Sequence, residues 1–237
     1  MASRSALQGN SRLRRRRFAR RFEILRAAGR EFRARGFFAT GMRDIAAASD
    51  LSPANLYNYF RGKHEILFFC QDSALDRLLA ALQKIRYLRA SHAEKLRAML
   101  VSHLTCVLDE VEGSSAHFLT SALPRALQKR ILSKRDRYEE GLRQLIAAGV
   151  RSGEFAPCDT ALTARAILGA LNWSVLWFRP EGALSASEIA DGFSAFLLRG
   201  LLAKPGASST ANRERSPNQR AYPPANQKVA QRRRGAL

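Results

Sequence analysis

Apolar residues recur at helical spacing through most of this 237-residue chain, and no stretch alternates as a strand would. Phe18, Phe22, Leu25 and Phe32 share one face of a first helix; Gly29 and Gly36 keep the phase, and Gly36 is placed to cap its C-terminus. Met42, Ile45 and Ala46 mark a helix over 42–49, with Thr40 ahead of it as an N-cap. Asp50-Leu51 breaks that helix. Ser52-Pro53 starts the next, over 53–59, serine as cap and proline at the first helical position. From Lys63 to about Leu88 one long stripe holds Ile66, Leu67, Leu75, Leu78, Leu82 and Ile85. Residues 91–111 place Leu96, Met99, Leu100, His103, Leu104, Val107, Leu108 and Val111 inward before the break at Gly113-Ser114-Ser115. A short helix stops at Leu123 before Pro124, and another reaches Val150 through Leu127, Ile131, Tyr138, Leu142 and Ile146. Asp159 caps a helix over 160–178, and the capping box Ser185-Ala186-Ser187-Glu188 opens the last, through Phe193 and Phe196 to Leu201. The pattern predicts an all-α protein of nine helices.

The helix over 53–59 can bury only Leu56 and Phe60, so neighbours must hold it and its outer face is free for recognition. With the helix over 42–49 it forms a helix-turn-helix, whose second helix enters the major groove of DNA. Small Ala54 permits close approach, and Asn55 and Asn58 can pair with base edges. Tyr57 and Tyr59 offer hydroxyls to phosphates, Ser52 is a further candidate for contact with DNA, and Lys63 opens a helix whose dipole also attracts an anion. Arg16 and Arg17 end a basic run that could follow the minor groove.

Charge strengthens this picture. The formal net charge is +20, which suits a polyanionic partner. Residues 1–17 hold six arginines and no acid, and residues 204–237 hold eight Lys/Arg against Glu214 alone. Both ends lack apolar periodicity and read as disordered arms. The expected organisation is a basic arm over 1–17, a DNA-binding unit over 18–64, a helical effector and dimerisation unit over 65–203, and a basic tail over 204–237. Cys70, Cys106 and Cys158 match no metal or redox spacing, no apolar run reaches membrane-spanning length, and no cofactor or catalytic motif appears. A cytoplasmic protein that is not an enzyme is the expectation.

Gly36-Phe37, Thr40 to Ala47, Asn55 to Phe60 and Lys63 resemble the DNA-binding domain of the tetracycline-repressor (TetR) family. The resemblance implies a homodimer with a three-helix DNA-binding head on a larger helical body. By position it implies phosphate contacts from Thr40, Arg43, Tyr57, Tyr59 and Lys63, with Ala54, Asn55 and Asn58 nearest the bases. Asp50 stands where many members have glycine, and Arg61-Gly62 where Pro-Ser or Lys-Asn is more usual. Further along, Gly153-Glu154-Phe155, Ile167 to Trp173 and Trp177 to Gly182 resemble the bodies of family members that regulate lipid, sterol and fatty-acid catabolism. Some of those release DNA on binding a coenzyme A thioester.

The last two helices are apolar on more than one face, which fits burial against both the monomer core and a second copy. Trp173 and Trp177 lie four apart on one face, where they could hold an acyl or ring moiety or fill the dimer or monomer core. His103, Asn172 and Arg179 complete the candidate effector residues; a histidine on an apolar face is more often a satisfied core residue. The expected partners are a palindromic double-stranded operator, a second copy and a small hydrophobic or acyl-CoA effector, with no membrane. The competing expectation is an architectural protein that coats nucleic acid through its basic ends. It leaves the asparagines and tyrosines of the short helix without a purpose.

Overall fold

The computed structural model describes residues 2–108, 115–179 and 181–203, with the backbone alone for 2–14, 33 and 115–118. The basic tail over 204–237, the break at Gly113-Ser114 and Pro180 lie outside the described residues. The chain runs α1 (Ala2–Arg35), α2 (Met42–Ala48), α3 (Pro53–Tyr57), α4 (Lys63–Arg86), α5 (His92–Leu108), a 3-10 segment (Ser115–Ala122), α6 (Arg125–Arg151), α7 (Thr160–Trp177) and α8 (Ala186–Leu201). Among the described residues there is no sheet, and one antiparallel bridge joins Phe155 to Leu202. No described helix is long and apolar enough to cross a membrane.

Local chemistry sets most boundaries where the sequence placed them. Gly36 adopts φ +82 and donates its N–H to Phe32 O at 2.9 Å, closing α1. Ser52 Oγ accepts from Asn55 N at 3.2 Å with Pro53 next in the chain, so α3 starts as expected; it ends at Tyr57, two residues early. Asp159 accepts from the amides of Ala161 and Leu162, and Ser185 and Glu188 form their capping box. Asp50 fills the left-handed turn position with φ +52, a conformation that Asp tolerates better than most residues.

Three expectations change. α1 begins at Ala2, so the stretch expected as an unstructured arm is helical. Its buried face is Ile24, Leu25, Ala28 and Phe32, whereas Phe18 is 55% exposed and meets Phe22 edge-on. The shift arises because α1 packs against α2, α4 and the 3-10 segment through this face. Third, the N-cap of α2 is Gly41, whose N–H donates to Asp44 Oδ2 at 2.8 Å.

Two hydrophobic cores result. The head core gathers Ile24, Phe32, Ile45, Leu56, Phe60, Ile66, Leu67 and Leu75, roofed by Leu123 and Ile131. The body core begins at Leu78 and takes in Leu96, Leu100, Leu104, Tyr138, Leu142, Ile167, Leu171 and Ile189. α4 belongs to both. The motif Gly153-Glu154-Phe155 clasps the body: Glu154 accepts from the amides of His92 and Ala93 at 3.1 and 3.0 Å, capping α5, and Phe155 is buried against Gly149.

The turn at Asp50 makes a clear test. Asp50→Gly should keep or raise the urea midpoint, and Asp50→Val should lower stability by about 1–2 kcal/mol, the cost of a Cβ-branched residue in the left-handed region.

Candidate nucleic-acid interface and effector cavity

Arginines one turn apart on α1 hold the reading helix in place. Arg17 Nη2 donates to Asn58 O at 2.8 Å, just past the end of α3, and Arg20 Nη2 donates to Ser49 O at 2.9 Å, at the end of α2. Both meet helix C-termini, where carbonyls are unpaired and the dipole is negative. Arg21 lies against the rings of Phe60 and Phe69 at 4.4 and 4.3 Å and pairs with Glu65 at 3.5 Å. Held in this way, α3 presents Ala54, Asn55, Tyr57 and Asn58 to solvent, with Ser52 exposed at its start and Arg43 exposed on α2. Tyr59 is half-buried against the head core. Arg16 is exposed on α1.

Two expected phosphate contacts turn inward. Thr40 is fully buried, and its hydroxyl donates to Gly36 O at 2.9 Å. Lys63 Nζ donates to three carbonyls, Phe37 O, Phe38 O and Thr40 O, at 2.9–3.0 Å, with the Phe37 ring 4.9 Å away. An ammonium has three protons, and all three are used. Lys63 is the clamp that holds the α1–α2 turn onto α4.

The second site is a cavity of about 320 Å³ lined by Leu75, Leu78, His103, Arg135, Tyr138, Glu139, Arg165, Leu168 and Asn172. It lies at the seam of the two cores: Leu75 packs in the head core, and Leu78 and Tyr138 in the body core. One wall is apolar and the other is ordered by hydrogen bonds. His103 Nε2 meets Asn172 Oδ1 at 3.2 Å, and Nδ1 meets Tyr138 Oη at 3.2 Å. An amide oxygen only accepts, so Nε2 carries the ring proton and Nδ1 accepts from the tyrosine hydroxyl. Burial lowers the His103 imidazole to about 4, keeping it neutral near pH 7, and raises the Tyr138 phenol. The Asn172 NH₂ donates to no protein acceptor among the described residues. Arg165 Nε donates to Glu139 at 3.1 Å, and Glu139 also pairs with Arg143.

His103 and Asn172 therefore meet where the sequence reading put effector residues, and Trp173, Trp177 and Arg179 do not. Trp173 is 61% and Trp177 43% exposed, Trp177 stacks on Phe193 at 6.2 Å, and Arg179 donates to the Phe178 and Leu176 carbonyls. The tryptophans continue an exposed apolar stripe, Leu162, Ala166, Gly169, Trp173 and Leu176, along α7. Within one protomer the tryptophans neither line the cavity nor fill the core, and of the alternatives held open for them the dimer core is left.

Arg135, Tyr138, Glu139 and Arg165 were missed. Arg135 did carry a signal: it stands at i+4 from Ile131 and i−3 from Tyr138, a charge in phase with a buried stripe.

Residues 24–68 match the family model for bacterial regulatory proteins of the tetR family, and residues 89–201 match a Tetracyclin repressor-like C-terminal domain. A solved TetR-family transcriptional regulator, PfmR from Thermus thermophilus, is 35% identical, with 75% of this chain and 97% of PfmR covered at a TM-score of 0.69. The chain belongs to the TetR family. TetR-family relatives with more specific names also match. The transcriptional repressor KstR2 of Mycobacterium tuberculosis (strain ATCC 25618 / H37Rv) is 28% identical over 187 residues, spanning 77% of this chain and 93% of KstR2. A structure of AibR in complex with isovaleryl coenzyme A and operator DNA is 26% identical, covers 76% of this chain and 98% of AibR, and has a TM-score of 0.64.

Two measurements check this TetR-family site. Lys63→Ala should lower the melting temperature through loss of three hydrogen bonds to carbonyls, leaving the log-log salt slope of DNA binding unchanged; a phosphate contact would instead cut that slope by about one with little change in melting. The neutral His103 makes stability pH-dependent. Its folded pKa lies below the unfolded value, so its contribution is complete above about 6.5 and drains away as pH falls towards 4. Urea midpoints of the native protein should fall through that window, and His103→Gln should flatten the fall.

Proposed function

We propose that this TetR-family protein is a transcriptional repressor. It binds a palindromic operator as a homodimer and leaves it when a hydrophobic anion, of the acyl-CoA class, fills the cavity between head and body. The position of that cavity carries the reading. Its walls come from α4, α5, α6 and α7, and α4 is the helix that continues directly into the reading head. An occupant that moves α4 moves the head.

The lining supports the effector class. A volume of about 320 Å³ sits at the lower end of ligand pockets, about 300–1,000 Å³, and suits an acyl or ring moiety whose nucleotide stays outside. Leu75, Leu78 and Leu168 suit its hydrocarbon, the Asn172 NH₂ suits a carbonyl oxygen, and Arg135 and Arg165 suit its negative charge. KstR2, a ketosteroid transcriptional regulator, and AibR, which is bound to isovaleryl coenzyme A, favour genes of lipid or acyl-CoA catabolism as the regulated set. A catalytic role has no support, and a cytoplasmic setting fits a regulator of this kind.

On the operator, Asn55 and Asn58 read bases, while Arg16, Arg17, Arg43, Ser52, Tyr57 and Tyr59 serve the backbone beside Ala54. The apolar stripe of α7 and the exposed Phe196 of α8 (71% exposed) form the two-fold interface. Leu197 is half-buried against its own core, so Phe196 and Trp173 are the better probes of this interface.

Asn55→Ala and Asn58→Ala should each weaken operator binding by about 1–3 kcal/mol and random-DNA binding far less. Equal losses on both duplexes would favour the coating protein over the regulator. Phe196→Glu or Trp173→Glu should give a folded monomer by sedimentation that binds a two-half-site operator poorly; an intact, DNA-competent dimer would contradict the interface.

A further inference from the structure

Gln71 is buried in α4, only 1% exposed, between Leu67 and Leu75 of the apolar stripe. A buried amide in that position must be hydrogen-bonded. Its Oε1 accepts from Thr120 Oγ1 at 2.9 Å and from Arg135 Nη2 at 3.3 Å. The three residues belong to α4, the 3-10 segment and α6. Thr120 lies between Leu119 and Leu123, both packed in the head core. Arg135 lies between Ile131, of the head core, and Tyr138, of the body core, and it lines the cavity. One amide oxygen thus ties the cavity wall to the roof of the DNA-binding head.

The tie is of a kind that an effector can compete for. A guanidinium can bond a carboxylate or phosphate through two parallel N–H groups, with opposite charges attracting, whereas it meets a neutral amide oxygen through one. Burial lowers the Arg135 pKa, which reflects the cost of holding its charge away from water. We propose that Arg135 is the coupling residue of the effector site: an anionic occupant draws its guanidinium away from Gln71, and the loosened Gln71–Thr120 pair frees the 3-10 segment and α4 to shift the head. The inference rests on the effector reading above and deepens it by naming how occupancy reaches the DNA. In linkage terms, the bonds from Thr120 and Arg135 to Gln71 Oε1 belong to the DNA-competent state, and a ligand that binds better without the Arg135 bond moves the population away from it.

The test uses the full-length dimer, a duplex selected from random DNA in vitro, and isovaleryl-CoA, palmitoyl-CoA and free CoA as probes. Gln71→Leu and Thr120→Val keep approximate volume and remove the tie from either end. Each should retain the wild-type melting shift with the thioester, while the thioester-induced loss of DNA affinity shrinks by about tenfold, within the usual range of allosteric coupling. In the free variants, amide exchange over 119–131 should rise about fivefold, the equivalent of one hydrogen bond, with 96–108 unchanged. Arg135→Met combined with Gln71→Leu should raise it no further than either change alone. Wild-type release together with unchanged exchange overturns the proposal, and so does a rise spread evenly into α5, which marks a general loss of stability. If no thioester shifts the wild-type melting point, the effector reading fails on its own. Exchange in the free variants then still decides the tie: a local rise supports it and no change refutes it.

Discussion

The continuous burial of one face of α4 governs the rest of this molecule. Ile66, Leu67 and Leu75 lie in the head core, and Leu78, Leu82 and Ile85 lie in the body core, all on one helix with no break between them. Twenty-four residues span about 36 Å at 1.5 Å per residue. A helix packed in this way is stiff, because moving any part of it disturbs two close-packed interiors. It is also fastened at its start and along its length. Lys63 grips three carbonyls of the α1–α2 turn, and Lys134 of α6 pairs with Asp72 and Asp76 midway along α4 at 2.6 and 2.7 Å. Whatever α4 does, the reading helix follows.

The head shows how a five-residue helix can present a recognition surface at all. α3 is too short to persist alone, so its order is borrowed from neighbours: Leu56 below it, the Ser52 cap before it, Arg17 on its C-terminal carbonyl and Arg21 against Phe60. Basic residues of α1 that would be read as DNA contacts on charge alone thus serve the fold as well. The two roles are compatible for Arg17, which uses one of its five N–H groups on Asn58 O. They are not compatible for Lys63, which has no proton to spare.

How much was legible follows from what leaves a mark in one dimension. Caps, proline positions and apolar phase are local, so Ser52-Pro53, Asp159, Ser185 to Glu188 and the stripe of α4 were readable, and the family resemblance added the helix-turn-helix. Contacts between elements leave a weaker mark. Lys63 looked like a phosphate ligand because its partners, the carbonyls of Phe37, Phe38 and Thr40, are main-chain atoms more than twenty residues away. Trp173 and Trp177 looked like pocket residues because an apolar helix face carries no label for which neighbour covers it. The cavity was half visible: His103 stood out as a polar residue in apolar phase and Asn172 lay in the motif that carries the resemblance, while Arg135 and Gln71 are polar in apolar phase as His103 is.

The central claim is that the cavity and the reading head move together through α4. Pulsed dipolar spectroscopy tests it most directly, with a spin label at the exposed Ala47 of α2 in each protomer of the dimer, in a Cys106→Ser, Cys158→Ser background. Bound to its operator, the protein should give one narrow distance set by reading heads about 34–36 Å apart, one helical repeat. Addition of an acyl-CoA thioester that releases the DNA should move that distance to a second value, with Gln71→Leu suppressing the change. Release of DNA with the inter-head distance unaltered would contradict the account.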